Sequence, residues 1–301
     1  MVCNVKKIVL LGLALCSPLI VLGQLLWRID GNGLKSPSYV FGTYHVSSAS
    51  FLDSIPKIRI AMDSTLRVCG EVDMAEMQSG DFLAKSMEAM LFQGDTTLSS
   101  LLGAERSAKV SKLTKKYIGA DLSNPALNKL KPYALMVQIE LAMAASVTPG
   151  AGIGMQLDEY FQKRAIGEGK ECVGFETPDF QLALLSGATI GRQVELLMCL
   201  ADNSDFQYQM LSDIVDAYLN RDFKALEKSV DEKMGNSCDA TVAEENAMLY
   251  ARNSDWVGQM PGLMAGMPTL FVVGAAHLLG RKGLLQLLRD KGYRVKPIDN
   301  N

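Results

Sequence analysis

Only two histidines occur in this 301-residue chain, and both sit in the same four-residue frame, Gly42-Thr43-Tyr44-His45 and Gly274-Ala275-Ala276-His277. Each frame follows a short apolar run, Tyr39-Val40-Phe41 or Leu270-Phe271-Val272-Val273, which reads as a buried strand stopping at a glycine. In an open α/β sheet, ligands collect just beyond the carboxyl ends of the strands, so the two imidazoles are expected to face one mouth. A lone histidine after a strand reads as well as a hydrogen-bonded structural residue. The duplicated frame, with no third histidine, turns the reading toward a shared metal site, because neutral imidazole ligates zinc, iron and manganese-like ions.

A third strand is expected over residues 66–69, running into Gly70-Glu71-Val72-Asp73 and offering Glu71 at its end. Two imidazoles and a carboxylate suffice to hold a catalytic divalent ion with a position left open for water or substrate. Such an ion lowers the pKa of its water and polarises a carbonyl, which is what peptide or ester hydrolysis requires. Glu71 reads as a ligand, as a general base beside the ion, or as a salt-bridged strand-end residue. Arg252, on a helix predicted shortly before the second histidine strand, reads as a solvated helix residue or, placed near the site, as a group for a substrate carboxylate or an oxyanion. No HExxH helix is present, which excludes the zinc-protease arrangements built on that motif.

The elements that must position these groups draw on both ends of the chain. Leu25-Leu26-Trp27-Arg28-Ile29 and Tyr39-Val40-Phe41, with Asp30-Gly31-Asn32-Gly33 between them, predict a hairpin. From about residue 80 to 260 the pattern is mostly helical, over 131–145, 156–166, 194–200 and 206–219, with methionines such as Met87, Met136 and Met143 at core-filling positions. A short strand at 171–175 interrupts the helices, and Thr177-Pro178 is expected to cap the helix that follows. Residues 270–273, 284–289 and 293–295 read strand, helix, strand, a unit that makes parallel strands. The expected fold class is therefore α/β: a central, mostly parallel sheet with strands from both chain ends, flanked by helices, with a large helical insertion.

Residues 1–23 carry Lys6 and Lys7, an apolar stretch over 8–22 and a small-residue exit at Gly23, the pattern of a secretory signal peptide. The stretch is short for a transmembrane helix, and a lipoprotein reading at Cys16 is weakened by bulky Leu15. The mature chain, 24–301, is read as one domain, periplasmic or secreted, with no transmembrane segment. Without the leader's two lysines, 28 basic residues face 33 acidic ones, a formal charge of −5, and no concentrated basic face points to nucleic acid. Oligomeric state is not readable. Of the four remaining cysteines, Cys199 and Cys238 flank a helical stretch and are the expected disulfide, while Cys69 and Cys172 lie in apolar runs as free thiols.

Trp27-Arg28-Ile29, the first histidine frame with its strand, Glu71-Val72-Asp73, Arg252-Asn253 and Val273-Gly274-Ala275-Ala276-His277-Leu278-Leu279-Gly280 together resemble the TraB/GumN/Tiki family, in order and over essentially the whole mature chain. The resemblance implies a fold related to erythromycin-esterase-like and ChaN-like proteins. It implies, from the animal Tiki members, a metal-dependent protease preferring manganese or cobalt. By position, His45, His277 and Glu71 correspond to the metal-site residues and Arg252 to the family's arginine. Asp158 and Glu176 match further polar positions and join the catalytic set. Ala275-Ala276 departs from a frequent glycine, a small change for the turn. The expectation is thus an exported metal-dependent hydrolase acting on a peptide or protein. A haem- or iron-binding module and a metal-dependent esterase are the alternatives.

Overall fold

The computed structural model describes residues 24–299, so the leader expected over 1–23 lies outside the described residues. Six strands form one sheet: β1 (Leu26–Asp30), β2 (Ser38–Thr43), β3 (Arg67–Val72), β4 (Glu171–Glu176), β5 (Thr269–Gly274) and β6 (Arg294–Pro297), in the order β4-β3-β5-β2-β1-β6. The pairs β4·β3, β3·β5 and β5·β2 are parallel, whereas β1 pairs antiparallel with both β2 and β6. Only β1 therefore runs against the rest. The expected hairpin is β1–β2. The closing strand-helix-strand unit does run parallel, but β6 docks beyond β1, with β2 and β1 standing between it and β5.

Successive residues along a strand face opposite sides of a sheet, and here both sides are covered. Tyr39 and Phe41 of β2, with Leu270 and Val272 of β5, pack into a core with helices Ile58–Asp63, Leu157–Gly167 and Ser204–Leu219. Val40, Phe271 and Val273 point the other way, onto Trp256, Met260 and Leu284 from helices Ala251–Gly266 and Leu284–Asp290. That double burial is why these strands read as continuous apolar runs. Each such side chain contributes about 1.5–3 kcal/mol of burial. A third core, with Leu113, Ile139, Met143 and Leu197, lies wholly among helices and is the expected insertion. Met87 departs from the core-filling expectation: it is 62 % exposed.

Thr177 caps helix Pro178–Ser186 by accepting from the Phe180 N–H, with Pro178 in the first turn, as its sequence requires. Cys199 and Cys238 are joined, and Cys69 and Cys172 are free. No single helix among the described residues is long and apolar enough to cross a membrane.

Of the glycines closing the apolar runs, Gly274 is the last residue of β5, whereas Gly42 and Gly70 do not end their strands. Gly42 and Gly70 lie inside β2 and β3, which continue to Thr43 and Val72, so Glu71 projects from within β3 rather than from a loop after it. Glu176 likewise is the last residue of β4. None of these glycines has a positive φ; at Gly42 and Gly274 their service is space. Because β1 is reversed, Leu25 lies at the carboxyl edge of β2, where its carbonyl accepts from the Gly42 N–H at 2.9 Å.

Candidate functional site

A Cβ on Gly42 would sit 2.9 Å from Leu278 Cδ1 and 3.0 Å from Ala275 Cα. Glycine is what lets the one-turn helix Ala275–Leu278, which follows β5, press directly onto β2 and bring the two histidine frames together. Gly274 does the same for the side chains. A Cβ there would lie 3.3 Å from Glu71 Oε1, 3.6 Å from His277 Cδ2 and 3.7 Å from His45 Nε2. The two imidazoles and Glu71 thus surround one small cradle at the carboxyl edge of the sheet.

His277 is buried, with its ring 4.4 Å from that of Trp256. The Asn253 amide nitrogen donates to Lys282 O at 2.9 Å, which turns its oxygen toward His277 Nδ1 at 2.6 Å. An amide oxygen only accepts, so the proton is assigned to Nδ1 and the lone pair to Nε2. Burial pushes this imidazole down to about 4 against the pull of Glu71, with Arg252 and His45 adding to the push. It is neutral near pH 7, the form that binds cations.

His45 is different, its side chain 64 % exposed. Its Nδ1 meets Asp158 Oδ2 at 2.9 Å, and the other Asp158 oxygen accepts from the Thr43 hydroxyl at 2.9 Å. Asp158, on the first turn of helix Leu157–Gly167, raises the His45 pKa and leaves Nε2 turned to the cradle. Asp158 was expected in the catalytic set. In the structure its two carboxylate oxygens meet the imidazole and the Thr43 hydroxyl.

Glu71 Oε1 accepts from the Gly274 N–H at 2.8 Å and stands 3.7 Å from His277 Nε2. Its Oε2 accepts from Arg252 Nη2 at 2.7 Å and from Gln181 Nε2 at 3.3 Å. Burial alone would raise this carboxyl, but His277, His45, Arg252 and the Gly274 N–H outweigh it and hold it at about 2.

The expectation that Arg252 serves a substrate meets a full donor set. Nε donates to Glu176 Oε1 at 2.8 Å, and Nη2 donates to Glu71 and to Glu176 Oε2 at 2.9 Å. Nη1 donates to Met248 O at 3.0 Å and faces His277 Nε2 at 3.2 Å, while the guanidinium lies 4.7 Å from the centre of the Trp256 ring. A guanidinium has five N–H groups, and these contacts use them all. Arg252 is the buried brace of the cluster. Glu176, expected among the catalytic groups, is its seat: its remaining bonds come from Trp256 Nε1 at 2.9 Å and Gln181 Nε2 at 3.2 Å. Gln181 and Trp256 had no signal in the sequence, whereas Asn253 stood beside Arg252 in plain view.

The donor chemistry fits a divalent ion. His45 and His277 each have Nδ1 held by an oxygen, the outer-shell pattern that orients imidazole ligands; His45 Nε2 faces the cradle, and His277 Nε2 faces Arg252 Nη1. Asp158 raises the His45 pKa to about 9, so near pH 7 that ring carries a proton; Glu71, Glu176 and Asp158 against Arg252 and His45 leave one negative charge, and two once an ion displaces the proton. Among the described residues, however, no three His, Cys, Asp or Glu side chains already stand at ligand positions about a common point. Closing the set requires His277 Nε2 to turn its lone pair away from Arg252. A cavity of about 520 Å³ lies away from this cluster, beside the disulfide, among surface pairs such as Lys109–Asp202.

No curated protein and no solved structure matches the chain. The model of the TraB/PrgY/gumN family matches residues 25–297, nearly the entire sequence. The chain belongs to the TraB/PrgY/gumN family.

Proposed function

We propose that this chain is an exported metal-dependent hydrolase, most simply a peptidase, with His45, His277 and Glu71 holding the ion. One observation carries the reading: the side chains of Glu71, His45 and His277, from three separated segments, come within 3.3–3.7 Å of the point where a Gly274 side chain would begin, Glu71 through Oε1 and His45 through Nε2. The three side chains come within 3.7 Å of a single point, a convergence that suits an ion better than a haem plane. When bound, a divalent ion there would activate water and polarise the scissile carbonyl. Manganese or cobalt follows from the family resemblance; zinc and iron suit the same donors.

The protein's own contribution is placement. Asp158 and Asn253 fix the two rings, Arg252 and the Gly274 N–H fix Glu71, and Trp256 shields the buried side. His45, exposed at the rim, is the part of the cluster a substrate meets first. The test is metal content by atomic emission, together with a peptide-library cleavage profile in manganese, cobalt, zinc and chelator. Metal-stimulated cleavage that disappears in the His45→Ala/His277→Ala variant supports the reading. Unchanged metal binding in that folded double variant overturns it.

A further inference from the structure

Two segments that hold site residues, the loop leading to Asp158 and the helix carrying Gln181, also carry exposed apolar side chains. On the His45 side runs the loop 148–156, Thr148-Pro149-Gly150-Ala151-Gly152-Ile153-Gly154-Met155-Gln156. It is laid against the segment that follows His45: the Ala49 N–H donates to Met155 O at 2.9 Å, and Ser48 pairs with Gln156. Two residues after Gln156 comes Asp158, which holds the imidazole. Gly150, Gly152 and Gly154 all have positive φ, so the backbone is shaped by residues that alone tolerate it, and between the last two stands Ile153, 72 % exposed.

On the Glu71 side, helix Pro178–Ser186 brings Gln181 onto Glu71, and the adjacent Phe180 is 47 % exposed. The Lys85–Asp179 ion pair ties this helix to helix Gly80–Met90, whose Leu83 and Met87 are also exposed, at 51 % and 62 %. Large apolar side chains held out in water on segments that hold site residues mark a contact surface.

We infer that Ile153 and Phe180 are specificity-determining contacts that receive a large aliphatic or aromatic side chain of a peptide lying across the mouth. The inference rests on the peptidase reading and names its substrate class: an extended peptide whose backbone meets the polar centre and whose apolar side chains meet the flanks. The charges on the Phe180 flank, Lys85 and Asp179, are paired with each other, so they leave no net charge to repel an apolar side chain.

The experiment uses the mature chain loaded with manganese and decapeptides of glycine, serine and lysine with one central Leu, Phe, Ser or Asp. Binding is read by fluorescence anisotropy and cleavage by mass spectrometry in the same samples. The Leu and Phe peptides should bind about tenfold tighter than the Ser and Asp peptides, the effect of covering part of one apolar side chain. Ile153→Ser or Phe180→Ser should erase most of that preference without changing manganese affinity. Ile60→Ser should retain it: Ile60 is equally exposed, at 62 %, but lies ahead of the amino end of β3. Equal binding of all four peptides, or a preference that survives in both flank variants, overturns the inference, as does equal uptake of the parent by phosphatidylcholine vesicles. A preference that is present and Ile153-dependent, without any cleavage, upholds the inference and removes the hydrolase reading.

Discussion

Replacing Gly274 with alanine puts a methyl group where the ion would sit, and little else changes. The backbone at 274, φ −53° and ψ 135°, is open to any L residue. The new carbon would make ordinary contacts at 3.6 and 3.7 Å with the two imidazoles and one tight contact, 3.3 Å, with Glu71 Oε1. Folding should therefore change by no more than about 1 kcal/mol, since loss of glycine freedom in the unfolded chain offsets the tight contact. Binding should not survive so well. Nitrogen and oxygen ligands stand about 2.0–2.2 Å from such an ion, and a carbon already in contact with all three side chains leaves no volume for that shell. Outer-shell changes alone cost about 10- to 100-fold in affinity, so obstruction of the cradle should cost at least about 100-fold, roughly 2.7 kcal/mol. Isothermal titration with manganese and cobalt measures the affinity, and a thermal melt confirms the fold. A Gly274→Ala protein that melts with the parent and binds metal as tightly would show that the ion, if any, lies elsewhere.

Removing Arg252 with methionine strands the buried Glu71 and Glu176 carboxylates and should cost about 3–5 kcal/mol in urea unfolding; adding Glu176→Gln should recover part of that loss. Acid should destabilise the chain in two stretches. His277, held at about 4 when folded, refuses the proton that the unfolded ring accepts from pH 6.5 downward, so stability present above 6.5 is lost toward 4. Glu71, held at about 2, adds a loss from its ordinary 4.5 toward 2, and a urea-midpoint series flat from pH 6.5 to 3 would contradict both. Asp158→Asn should lower the His45 titration midpoint by at least about one unit, read by NMR in a protein whose two histidines are easily assigned. Replacing Cys199 and Cys238 with serine frees a 39-residue separation and should cost about 4 kcal/mol by chain entropy, measured as a lower melting temperature.

The parts of this site that could be read from the sequence are those carried by rare residues at strand ends. Two histidines in a repeated frame, and a glutamate in a third apolar run, announce a common edge because strand direction alone delivers them there. The helical cap at Thr177 was legible for a similar reason, since its signal is local. What sequence does not carry is who stands across from whom. Arg252 reaches Glu176, 76 positions away, and Glu71, 181 positions away, and only the packed sheet discloses that these absorb its donors. Two of the strand glycines misled for a physical reason as well. A glycine closing an apolar run suggests a turn, as happens after Gly274, yet at Gly42 and Gly70 the missing side chain admits a neighbouring group and the strand continues. The order of β1 and β6 was likewise hidden, because an edge pairing leaves no periodic trace.

The reversed course of β1 has a practical corollary. Leu25 and Ile298 both leave the sheet at the edge that carries the imidazoles, with the Ile298 N–H bonded to Leu26 O at 2.9 Å. An affinity handle or reporter protein joined directly ahead of Gln24 or directly after Asp299 would emerge at that edge, nearest to His45 on the β1 side. The hairpin bend at Asn32 and Gly33 opens on the opposite rim, and a label grafted there would leave the entrance clear.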